Sequence, residues 1–99
     1  MAELQIVYWR DIPAQVIVRQ GRKTARRELP KRFIEAVDMC AMRVGAKDSD
    51  AYLAEWRRES IQREAADIED EAERAAAELD GDFDLERLRQ LIANAGRES

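Results

Sequence analysis

Two strand-like runs open the chain, and a proline-bearing reversal separates them. Leu4 to Trp9 and Ala14 to Gln20 are dominated by β-branched and aromatic residues, which suit a pleated, half-buried surface. Between them, Asp11-Ile12-Pro13 reads as a turn. Proline fixes its own φ and offers no N–H to a ladder, and an aspartate can accept from a backbone N–H two residues on. Gln20-Gly21-Arg22-Lys23 marks a second turn, because glycine takes positive φ readily. Thr24 to Leu29 carries the charge expected of an edge strand. The pattern predicts a two- or three-stranded antiparallel meander.

The period then changes from two to 3.6. Phe33, Val37, Cys40, Ala41 and Val44 fall on one helical face, which predicts a helix from Pro30 to Val44 ended by Gly45. Asp48-Ser49-Asp50 supplies cap candidates for a shorter second helix, Asp50 to Arg58, with Tyr52, Leu53 and Trp56 on one side. From Ser60 the chain becomes acidic and alanine-rich. Ile61, Ala65, Ile68, Ala72, Ala75 and Leu79 are spaced as a heptad seam, which predicts a third helix broken at Asp80-Gly81-Asp82. The seam is thin, since each alanine buries far less than a leucine's worth of about 1.5–3 kcal/mol. Asp84 can cap a fourth helix, in which Leu85, Leu88, Leu91, Ile92 and Ala95 form a firmer face. The expected architecture is α+β: a β-meander packed on helices, with helices three and four as a C-terminal hairpin. Residues 1–59 read as a compact unit and residues 60–99 as an acidic helical extension.

Composition narrows the function classes. A chain of 99 residues with 45% apolar side chains can bury one core, and 38% charged residues give it a well-hydrated surface. The single cysteine, Cys40, excludes an internal disulfide. The first residues lack the charge and apolar run of a secretory signal, and no apolar run reaches the roughly 20 residues needed to cross a bilayer. A cytoplasmic protein is expected. The net charge of −4 conceals a polarity: residues 1–47 hold ten Lys/Arg against five Asp/Glu, and residues 48–99 hold seven against sixteen. Such a chain can fold its halves against each other or present two charged faces.

Catalytic chemistry is poorly provided for. The absence of histidine removes the commonest general base and metal ligand near neutral pH. Cys40 lies on an apolar helix face, where a thiol behaves as a small hydrophobe. No Cys/His zinc pattern or glycine-rich phosphate loop occurs, and the acidic helices lack the spacing of a calcium loop. No catalytic, cofactor or metal-binding residue is therefore assigned, no cofactor is expected, and an enzyme acting alone is disfavoured.

Binding has better candidates. Arg19, Arg22, Lys23, Arg26, Arg27, Lys31 and Arg32 form a basic run interrupted only by Glu28. It suits an acidic protein surface or the chain's own acidic helices, or the phosphates of a nucleic acid gripped by the hairpin 19–32; a pI near 4.9 counsels against the last. Trp9 and Arg10 are residue types that dominate interface hot spots. Neighbouring strand residues point to opposite faces, so the two are not expected to be buried together. Either both tryptophans are core and Arg10 pairs with Asp11 or Glu55, or Trp9, Arg10, Asp11 and Pro13 make an exposed contact, with Arg22, Arg26 and Arg27 steering a partner toward it.

Tyr8-Trp9-Arg10-Asp11-Ile12-Pro13-Ala14-Gln15-Val16, the Arg/Lys-rich segment up to Leu29-Pro30, and Ala51-Tyr52-Leu53-Ala54-Glu55-Trp56-Arg57-Arg58 together resemble a small proteobacterial family labelled "virulence factor". The resemblance covers residues 4–59 and leaves the acidic tail outside. It brings no activity, cofactor or site residue with it. It implies an accessory subunit, of the kind that accompanies folate- and corrinoid-linked one-carbon enzymes, rather than a toxin. The expected function is a non-catalytic protein-interaction module. The rivals are a nucleic-acid-associated regulator and an accessory subunit of a one-carbon enzyme.

Overall fold

The computed structural model describes residues 2–46 and 48–98. Strands β1 (Ala2–Trp9), β2 (Ile12–Gln20) and β3 (Lys23–Glu28) form the expected meander. The helices are α1 (Lys31–Arg43), α2 (Ser49–Ala54), α3 (Ile68–Asp82) and α4 (Leu85–Ala93), and a fourth strand, β4 (Trp56–Arg63), lies between α2 and α3. The sheet is four-stranded and antiparallel in the order β3-β2-β1-β4.

Strand β4 corrects two expectations. The second helix stops at Ala54 instead of Arg58, and no helix begins at Ser60. Trp56 to Arg63 pairs instead with β1 in an unbroken register from Trp9↔Trp56 to Ala2↔Arg63. An edge strand needs no continuous apolar face, because its backbone ladder is satisfied on one side and water serves the other. Ile61 and Ala65 thus leave the seam, and the residues that α3 buries begin at Ile68. Asp67 starts that helix by accepting from the Glu69 amide at 2.8 Å.

Alternation along the ladders defines two sheet faces, since directly opposed residues share a side. One face carries Leu4, Ile6, Val16, Val18 and Ala25, and α3 lies on it against β2 and β3. Ala72 and Ala75 are almost fully buried there, so small side chains bring that helix close to the strands. Gly81 does not break α3, which runs to Asp82 before Phe83 turns the chain. Helices α3 and α4 make the expected C-terminal hairpin across Phe83 and Asp84, with α3 laid on the sheet and α4 on α1. Phe33, Val37 and Cys40 of α1 and Leu88 and Leu91 of α4 belong to the same core as Trp9 and Ile12. Residues on both sides of position 59 therefore contribute to one core.

The other sheet face holds Gln5, Val7, Gln15, Ile17, Arg19, Arg26, Arg58, Ser60 and Gln62. Its end near Trp9 is covered by Tyr52 of α2, which packs against Trp9 and edge-on against Trp56, and Val7 and Ile17, although on this face, are buried.

Candidate functional site

The Trp9-Arg10-Asp11 corner draws distant parts of the chain together. Trp9 is fully buried, and its indole Nε1 donates to the Tyr52 carbonyl at 2.9 Å. The chain then reverses in two residues, Arg10 and Asp11, and Arg10 takes a left-handed backbone at φ 53°. That conformation removes Arg10 from the strand alternation, so its side chain is buried alongside Trp9, contrary to the expectation for neighbouring strand residues. Its side chain is only 15% exposed. The guanidinium donates to the Ala95 carbonyl at 2.7 Å, lies 3.4 Å from Glu55, and stands 5.3 Å from the Trp9 ring centre.

Asp11 completes the corner. Its amide donates to the Gly96 carbonyl at 2.8 Å, and its carboxylate accepts from the Glu98 amide at 2.7 Å and from Arg57 at 2.9 Å. The Glu98 amide, and after it the Arg57 guanidinium, hold this carboxyl below the ordinary aspartate value despite partial burial. Gly96 has φ 80°, and a Cβ there would meet the Cys40 sulfur at 3.1 Å and Arg10 Cδ at 3.2 Å. Pro13 is also buried, opposite Tyr8, where the β1–β2 register shifts. Trp9, Arg10, Asp11 and Pro13 thus make a clasp that closes the segment after α4 onto the sheet, and all four are engaged within the chain. Burial raises the Cys40 thiol above its ordinary value, which keeps it protonated.

The basic run divides. Arg27 reaches Glu69 and Glu73 of α3, each at 2.9 Å, and Arg32 pairs with Asp80. Arg63 lies 3.7 Å from Glu71, which is almost fully buried, and 3.5 Å from Glu78. Through Arg27 and Arg32 the basic first half meets the acidic second half inside one molecule. Arg19, Arg22 and Arg26 remain exposed on the β2–β3 hairpin.

The uncovered sheet face is the surface that sequence reasoning missed. Trp56, half-buried, stands between two shallow hollows of about 300 and 320 Å³. Val7, Gln15 and Arg58 line the first, and Gln15, Glu28, Lys31 and Ile34 line the second. Arg58 reaches Gln5 across the ladder at 3.2 Å, which fixes the guanidinium on this side. The signal was in the sequence: Trp56-Arg57-Arg58 repeats the Trp-Arg pairing of the first strand. Reading it as helical hid which of its side chains share a face. Among the described residues, no group of three or more His, Cys, Asp or Glu is placed to hold a metal ion, and no helix is long and apolar enough to cross a membrane.

These features define a small α+β domain with one helix-covered and one largely bare sheet face. The family model described as "Virulence factor" matches residues 7–92, and the chain belongs to that family. The match includes α3 and nearly all of α4, so the family region extends beyond the residues 4–59 that carry the resemblance. No curated protein and no solved structure matches the chain.

Proposed function

We propose that this protein is a non-catalytic interaction module, acting in the cytoplasm as an accessory to a larger protein. The observation that carries the reading is the bare sheet face, where a half-buried tryptophan sits between two hollows with arginines around it. Tryptophan and arginine are the residues most often found to dominate binding energy, above all where a partner can exclude water from them. Trp56 and Arg58 take the role expected of Trp9 and Arg10, because Trp9 and Arg10 are enclosed. Arg19 and Arg26 extend the same face and favour a partner with an acidic surface. The histidine-free composition supports a binding role over a catalytic one.

The test is co-purification of the intact protein from its native cells, beside an Arg26→Glu/Arg58→Glu variant. Both arginines are exposed, so circular dichroism and the thermal midpoint should match those of the parent chain. A protein partner retained by the parent and lost by the variant supports the reading. Equal retention overturns the role of this face. Binding that disappears on nuclease treatment and falls steeply with salt, by about 0.9 log unit per phosphate contact per tenfold change, replaces it with the nucleic-acid reading. Turnover of a metabolite by the isolated protein refutes the non-catalytic reading.

A further inference from the structure

The outer edge of β4 offers a second surface, independent of the bare face. Among the described residues the strand pairs with β1 alone, and its residues are exposed along nearly the whole length. Edge strands are usually blunted by proline, a bulge or a cover. Here there is no proline or glycine, the register against β1 is unbroken, and no turn, loop or cap segment among the described residues gives the outer edge a backbone hydrogen bond. What remains as protection is charge, and charge protects selectively.

A second copy can add to this edge antiparallel only about a two-fold axis normal to the sheet. Opposed residues must then share a face, so the axis passes beside a single residue of each strand. Centring on Arg57, Arg58 or Glu59 opposes that charge to itself. Centring on Ser60 sets Arg57 against Arg63 twice. Centring on Gln62 makes no ion pair and opposes Ile61 to Arg63. Centring on Ile61 does the reverse: Ile61 meets Ile61, Ser60 meets Gln62 twice, Glu59 meets Arg63 twice, and Arg58 meets Glu64 just past the strand end. Ile61 is 46% exposed in the single chain, an apolar side chain on an otherwise polar edge. We infer that two copies of this chain join edge to edge through β4 in the register centred on Ile61, making one eight-stranded antiparallel sheet. Among the registers centred from Arg57 to Gln62, this one alone makes ion pairs without opposing like charges. Both α3 helices lie on one side of the joined sheet, and both bare faces lie on the other.

Cysteine cross-linking of the full chain tests the register. Opposed strand residues have Cα atoms about 4.5–5.5 Å apart, inside the range a disulfide spans. Under mild oxidation Ile61→Cys should form a covalent dimer. Ser60→Cys alone should not, whereas a mixture of Ser60→Cys and Gln62→Cys chains should link to each other. In sedimentation, the parent chain should show a mass that rises with concentration toward twice that of one chain. Ile61→Lys, a change at an exposed position, should hold it at the single-chain mass with unchanged circular dichroism. A parent chain that stays monomeric at all concentrations overturns the inference, as does Ser60→Cys linking to itself as readily as Ile61→Cys. Neither result bears on partner capture by the bare face.

Discussion

Replacing Arg10 by alanine and by glycine separates two energies that the corner combines. Alanine removes the guanidinium and keeps the left-handed backbone at φ 53°. The bond to the Ala95 carbonyl is charge-assisted and largely buried, worth about 1.5–3 kcal/mol. The Glu55 contact is longer and partly hydrated, so it adds at most about 0.5 kcal/mol. The position over Trp9 adds on the order of 0.5–1 kcal/mol. Against these, the buried Arg10 Nε has no hydrogen-bond partner among the described residues, and its removal returns part of the loss. Arg10→Ala should therefore cost roughly 2–3 kcal/mol. Arg10→Gly loses the same contacts and escapes a left-handed penalty of about 1–2 kcal/mol, while its freer unfolded chain costs about 0.4–1 kcal/mol. Glycine should accordingly be the milder substitution by about 1 kcal/mol, the opposite of the usual order. Urea unfolding of both variants measures the difference, and hydrogen exchange at residues 95–98 should show the tail released in both. If alanine proves as stable as glycine or more so, the left-handed backbone at this position costs no more than glycine's extra freedom when unfolded, and the reasoning fails.

Two further outcomes follow from the same corner. Asp11 has a folded value below its unfolded one, so its contribution is present above the ordinary aspartate value and lost as pH falls through the depressed one. Asp11→Asn should be less stable than the parent at neutral pH, by about 1–2 kcal/mol, with the gap closing below about pH 4; a gap independent of pH would exclude the linkage. Cys40 is enclosed and its thiol is pushed up, so a thiol reagent should label it at the rate of chain opening and immediately after unfolding in urea. Prompt labelling of the folded protein would contradict its burial.

The meander, α1 and α4 were legible because each carries a strong local pattern. Val16 and Val18 alternate inward, Phe33, Val37 and Cys40 recur at helical spacing, and Asp84 caps as its type suggests by accepting from the Arg87 amide at 2.8 Å. Strand β4 was not legible. Trp-Arg-Arg-Glu-Ser-Ile-Gln-Arg has no apolar face, since its conformation is set by the ladder to β1, a partner about fifty residues away. The false start of the third helix has the same origin: Ile61 and Ala65 fit the seam by spacing alone, while Asp67, the residue that caps α3, sits inside it. At the site, the alternation argument failed at Arg10 because a two-residue reversal suspended it. The pairing of Arg10 with Glu55 was among the alternatives the residues themselves suggested.

The pairing of the first strand with the last has a temporal side. A ribosome delivers β1, β2 and β3 together, but the neighbour that seals β1 emerges only after α1 and α2. Until then one flank of β1 carries unpaired amides and carbonyls beside Leu4 and Ile6. Closing so wide a loop is slow relative to a hairpin. The growing polypeptide is consequently stickiest midway through its synthesis, and a chain truncated before Trp56 should aggregate more readily than the 99-residue chain.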